Sequence, residues 1–232
     1  MTRTLLEAKS EVERRIAEAC RRAGRQPEDV NVIAVTKYVS LSRTESVLRS
    51  GLLHIGENRW QDAKEKWEAL GEKGLGIWHF IGHLQTNKVK EVVGRFHMLH
   101  SLDRMSLAKE VDKRASQLGV TLPCFVQVNV SGEDSKYGLP PEELFLFLEE
   151  LQALRHIEAV GLMTMAPHED DPERTRPVFR ELRRLRDTAN ENGSCRKPLM
   201  HLSMGMSNDF EIAVEEGATW VRLGSVLVGK EE

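Results

Sequence analysis

A chain of 232 residues is long enough to enclose a sizeable core and suits one α/β barrel without large insertions. Hydrophobic side chains make up 40% and charged ones 30%, a globular balance that argues against disorder. The net charge of −3 leaves no electrostatic footprint for nucleic acid or an anionic membrane.

No apolar run approaches the ~20 residues that span a bilayer, so no membrane partner is expected. The first twenty residues are charged throughout and lack the apolar stretch of a signal peptide. Cys20, Cys124 and Cys195 form no C-x-x-C pair, and Cys124 begins an apolar run as a small buried hydrophobe would. A reduced, cytoplasmic protein is the expectation.

Leu5, Val12, Ile16, Ala19, Cys20 and Ala23 recur at helical spacing over 4–23, and Gly24 stops the helix. Residues 31–37, NVIAVTK, read as a buried strand. Ser42-x-x-Glu45 has the form of a capping box ahead of a helix ending at Gly51. Further strands are predicted over 53–56, 78–82, 97–101, 124–130, 159–164, 199–203 and 219–223. Helices are predicted over about 58–70 and 84–93. Asp103 is a candidate cap for another, with Leu107, Val111 and Leu118 on one face. Pro140-Pro141 and Asp171-Pro172 open two more. Ser207 is a candidate N-cap for the last, which Gly217 ends.

Eight strands alternating with helices imply a parallel sheet closed into a (β/α)8 TIM-type barrel. Too few residues follow the last strand for an eighth helix, so the N-terminal helix (1–24) is expected to cover that gap. No linker or low-complexity tract interrupts the series, and 1–232 reads as one domain.

In such a barrel, function collects at the carboxyl ends of the strands. Lys37 ends an apolar run there. A desolvated lysine amine is a nucleophile toward aldehydes. Spacing alone also permits an ordinary surface lysine. Residues 202–209, LSMGMSND, and 221–225, VRLGS, follow the seventh and eighth strands, where barrels often seat a phosphate on backbone amides. Gly205 and Gly224 allow close backbone approach, while Ser207 and Ser225 supply hydroxyls. A loop with an N-cap is the plainer alternative. Taken together, the lysine and the phosphate seat suit a phosphorylated aldehyde, either pyridoxal phosphate or a phosphosugar in an aldolase.

AVTK (34–37), HIGENRWQD (54–62), WHFIGHLQTNK (78–88), HSLDR (100–104), VQVNVSGEDSKYG (126–138), GLMTM (161–165) and LSMGMSNDFEIAVEEGATWVRLGS (202–225) together resemble the pyridoxal-phosphate homeostasis proteins. That family is similar in fold to the barrel domain of alanine racemase and binds pyridoxal 5′-phosphate without an established reaction. The resemblance implies a Schiff base on Lys37 and Asn58 near the ring. It sets Ser207, Gly224 and Ser225 around the phosphate and turns Arg222 toward the pyridine nitrogen. A carrier that supplies apo pyridoxal-phosphate enzymes is expected, and a monomer.

An arginine at the pyridine nitrogen donates and leaves the ring unprotonated, which makes a poor electron sink. Racemisation also needs an acid/base opposite the lysine. The sequence holds only Tyr38 and Tyr137, and no second domain that would bring another is expected. In an extended strand Tyr38 would point away from Lys37. A non-enzymatic holder is therefore expected, with a weak amino-acid racemase as the alternative. His79 and His83 have zinc-like spacing but fall in a strand, so no metal is expected. Lys136 reads as a solvated loop lysine, and Arg183, Arg184 and Arg186 as a solvated helix face.

Overall fold

The computed structural model describes residues 4–229. Helix α1 (Leu5–Ala23) comes first, then β1 (Asn31–Val35), α2 (Leu41–Arg49), β2 (His54–Glu57), α3 (Trp60–Leu70), β3 (Ile77–Phe80), α4 (Val89–Val92), β4 (Met98–Leu102) and α5 (Met105–Leu118). The chain continues through β5 (Leu122–Gln127), α6 (Leu144–Leu151), β6 (Ile157–Met163), α7 (Arg176–Glu191), β7 (His201–Ser203), α8 (Phe210–Glu215) and β8 (Trp220–Leu223). The strands pair in parallel in chain order. Pairing of Asn31–Ala34 with Trp220–Leu223 closes the barrel, as the strict alternation of strands and helices predicts.

Two apolar layers result. The larger lies between strands and helices and takes in Val47, Trp78, Leu107, Phe179 and Phe210. Inside the barrel Ile33, Phe125, Met163 and Trp220 form a separate cluster. Thr4 begins α1 with a reciprocal capping box, its Oγ1 accepting from Glu7 N while its own N–H donates to the Glu7 carboxylate. Val12, Ile16, Ala19 and Cys20 bury the inner face of α1. Arg15 and Arg22 pair with Glu211 and Glu215 of α8, both at 2.6 Å, and Lys9 donates to Ser50 O beyond α2 at 2.9 Å. Helix α1 thus fills the position between α8 and α2, where an eighth barrel helix would pack.

Several local expectations are corrected. Strand β1 stops at Val35, so Lys37 lies in the following turn. Ser40, not Ser42, caps α2, because its extended backbone lets Oγ accept from Arg43 N at 3.1 Å. Asp103 caps nothing and pairs instead with Arg104 at 2.6 Å and His83 at 3.4 Å. Ser207 is displaced as a cap by Asp209, which precedes α8 and accepts from Met206 N at 2.6 Å. Among the described residues no helix is long and apolar enough to cross a membrane.

Candidate functional site

Ser207 follows β7, Gly224 and Ser225 follow β8, Lys37 follows β1, and Asn58 follows β2. These four strands are consecutive around the barrel, so the residues occupy one continuous arc of its carboxyl-terminal rim. Arg222, within β8, is buried beneath that arc.

The turn carrying Lys37 is held from below. Thr36 N–H donates to Gly56 O at 3.1 Å, and Thr36 Oγ1 donates to Glu57 Oε1 at 2.6 Å. Lys66 Nζ, on the buried face of α3, donates both to Thr36 O at 2.7 Å and to Glu57 Oε1 at 2.8 Å. Burial pushes the Glu57 carboxyl up from its ordinary range, and the Lys66 ammonium opposes this. The backbone ahead of Lys37 is thereby fixed. Lys37 is half-buried, and its amine, without a hydrogen-bond partner among the described residues, lies 4.8 Å from the Tyr38 ring centroid. Tyr38 does not point away, because the strand has already ended.

Asn58 is pressed against the neighbouring loop. A Cβ on Gly82 would fall 2.2 Å from Asn58 O, so only glycine fits there. Asn58 Oδ1 is buried with no hydrogen-bond partner among the described residues. Across the arc, Ser207 Oγ accepts from Gly224 N at 3.2 Å and Val226 N at 3.4 Å, which keeps its own proton available. The Ser225 hydroxyl is exposed, and Gly224 packs against Val35, its Cβ position 3.8 Å from Val35 O.

Arg222 spends two of its five N–H donors on protein oxygens, Nη1 to Ser203 Oγ at 2.7 Å and Nη2 to Thr164 O at 2.9 Å. Burial lowers it to about 10, with the nearby Asp209 carboxylate resisting. Below Ser203 the barrel axis is polar. Ser203 Oγ meets His100 Nδ1, His100 Nε2 meets His79 Nδ1, and His79 Nε2 meets His54 Nδ1, each at 2.9 Å. Burial pulls His79 down to about 3 and His100 well below the ordinary imidazole range.

The rim residues stand just past apolar runs in the sequence, whereas the groups beneath them carry little sequence signal. Lys66 carried a signal, since Ala63, Lys66 and Leu70 lie at helical spacing on the apolar face of α3. Nothing in the sequence joined His54, His79 and His100, which come from three strands. His83 stacks on Tyr137, with ring centroids 3.9 Å apart. The Lys136 side chain is mostly buried and pairs with Glu133 at 3.2 Å rather than being solvated. Arg183 stays on the solvated face, 39% exposed, while joining Arg176 and Arg180 around Glu216; Arg186, its side chain 18% exposed and paired with Asp187, is the one that leaves it.

The family described as alanine racemase, N-terminal domain, matches residues 9–232. The fold is that of the Clostridium difficile 630 alanine racemase, with a TM-score of 0.72 at 16% identity, over 95% of this chain and 56% of that one. With 44% identity to the pyridoxal phosphate homeostasis protein of Aquifex aeolicus (strain VF5), over 96% of both chains, this protein belongs to the pyridoxal phosphate homeostasis protein family. The homeostasis protein of Pseudomonas aeruginosa is 36% identical over 99% of this chain and 96% of that protein. The solved structure of PipY from Synechococcus elongatus PCC7942, described as having PLP bound, superposes with a TM-score of 0.80 at 33% identity, over 92% of this chain and 100% of that one.

Proposed function

We propose that this chain binds pyridoxal phosphate on the rim arc and holds it as a Schiff base on Lys37, keeping the cofactor available to apo-enzymes rather than turning over a substrate. The observation that carries this reading is the single arc, over four consecutive strand ends, that gathers Lys37, Asn58, Ser207 and the 224–226 turn above Arg222. The names of the relatives and the PLP bound to PipY support it.

The residues present fit such a ligand. Lys37 offers an amine that no other polar group engages among the described residues. Ser207 and Ser225 offer hydroxyl protons, and Gly224 leaves room for a phosphate to approach the backbone. Arg222 retains three N–H donors for an acceptor such as a pyridine nitrogen. Asn58 brings a buried carbonyl oxygen that lacks a donor among the described residues. Bound pyridoxal phosphate supplies an aldehyde for the lysine and an aromatic ring that withdraws electrons. Arg222 cannot hand that ring a proton, because its guanidinium stays charged at neutral pH. Tyr137 is engaged with His83, and Tyr38 is 80% exposed beside Lys37, on the lysine's own side. Neither is set to act as a second acid/base. Free Cys20, Cys124 and Cys195 support a reducing, cytoplasmic setting.

Borohydride reduction of the loaded protein, followed by peptide mass mapping, tests the assignment. The reduced pyridoxyl label is expected on Lys37 and absent from Lys37→Ala. A label on Lys136 instead would overturn it. Incubation with L- or D-alanine in deuterated water should give no appreciable α-proton exchange; exchange at about 1 s⁻¹ or faster would make the protein a racemase.

A further inference from the structure

The polar column inside the barrel has only one consistent polarity, and its upper end is the group that Arg222 grips. Arg222 Nη1 can only donate to Ser203 Oγ. Ser203 has one proton, and its other partner among the described residues is His100 Nδ1. A proton on His100 Nδ1 would therefore leave the Ser203 hydroxyl proton with no acceptor in a fully buried site. His100 Nδ1 must accept, so its Nε2–H donates to His79 Nδ1, and the Nε2–H of His79 donates to His54 Nδ1. Protonating His79 would set its Nδ1–H against the Nε2–H of His100, and protonating His100 would leave the Ser203 hydroxyl proton without an acceptor, so both stay neutral. Their lowered basicity agrees.

The rings are also fixed in orientation. His100 stacks on Phe125 with centroids 4.3 Å apart, and His79 lies 5.0 Å from the Trp220 ring. Neither can turn without displacing barrel core. With the column ordered this way, Ser203 Oγ always presents lone pairs to Arg222, and Thr164 O presents a second acceptor at 2.9 Å. Two fixed acceptors on two different nitrogens define the plane of the guanidinium.

We infer that His100 and His79 are positioning residues. Through Ser203 they fix which way the Arg222 donors face, and so set the strength of its bond to the ligand's ring nitrogen, an inference that rests on the cofactor reading above. No charge and no proton needs to move along the column for this role. What matters is that each imidazole is locked as the Nε2–H tautomer.

Two measurements test this and separate it from the cofactor reading. Nitrogen-15 NMR of the unliganded protein at neutral pH should show His54, His79 and His100 all as Nε2–H tautomers. An Nδ1–H tautomer or an imidazolium at His79 or His100 would overturn the inference whatever the ligand does. The second compares affinity for pyridoxal phosphate with that for its 1-deaza analogue, which lacks the ring nitrogen. The wild type should prefer the former about tenfold or more, the usual range for a hydrogen bond from a charged donor. His100→Leu and Ser203→Ala should each lose most of that preference. His100→Asn, whose Oδ1 can accept in place of Nδ1, should restore it. A purely structural role would weaken both ligands equally and leave the ratio intact, and that result would refute positioning. Should His100→Leu not fold, Ser203→Ala and the wild-type tautomers still decide. A wild type that does not distinguish the two ligands overturns the Arg222–ring contact, and with it the ligand-directed part of the inference, while the tautomers still report on the column itself.

Discussion

Acid should unfold this protein partly through His79, and the contribution can be isolated. In the unfolded chain the imidazole titrates at an ordinary 6.5, whereas burial holds it at about 3 in the barrel. Between those values the unfolded state binds a proton that the native state refuses. Stability from this group is therefore complete above the unfolded value and falls as pH drops through 6.5 toward 3. The slope is about 1.4 kcal/mol per pH unit, so about 2 kcal/mol is lost by pH ~5. His100 acts in the same sense, and the raised Glu57 and Asp209 carboxyls act in the opposite sense. A difference measurement cancels them. Urea unfolding of wild type and His79→Gln should be followed from pH ~7.5 to ~5, with constant slopes against urea confirming comparable transitions. The variant starts less stable, but the gap should close by about 2 kcal/mol across that range. Parallel curves would mean that His79 takes up protons as readily in the fold as in the unfolded chain, and the buried neutral column would be wrong.

Combining Ser207→Ala with Ser225→Ala should weaken pyridoxal phosphate by well over tenfold, since each lost bond to a charged group is worth roughly 1.5–3 kcal/mol; pyridoxal should be little affected in the same titration. Equal loss for both ligands would remove the phosphate from that arc. Lys66→Met leaves the buried Glu57 without its cation and should cost about 3–5 kcal/mol in chemical unfolding, with Glu57→Gln added on top recovering much of it. A double variant as unstable as the sum would show that the pair is not coupled. Gly82→Ala forces a methyl to within 2.2 Å of Asn58 O and should cost at least about 1–3 kcal/mol, together with a shift of the Asn58 resonances.

Much of this architecture is legible in the residues themselves. Alternation of short β-branched runs with amphipathic stretches is a local property of the chain, and a closed parallel barrel is the packing that satisfies it eight times over. Lys37, Ser207 and Ser225 could be picked out because polar residues placed just after apolar strands emerge at one rim, and Gly224 because a side-chain-free position there lets the backbone approach closely. Boundaries were less legible. Ser42 has the capping-box spacing, yet Ser40 is the cap, because its backbone is the extended one where the loop meets the helix.

Tertiary structure alone decided what lies beneath the rim. His54, His79, His100, Ser203 and Arg222 belong to five strands spread over most of the chain, and only barrel closure with its stagger lines them up at hydrogen-bond distance. The Lys66–Glu57 pair likewise exists because α3 folds back over β2, turning a lysine on an apolar helix face into the clamp under Lys37. Periodicity records which face of an element is buried. It carries no information on which buried polar groups meet, because that follows from register between strands distant in the chain.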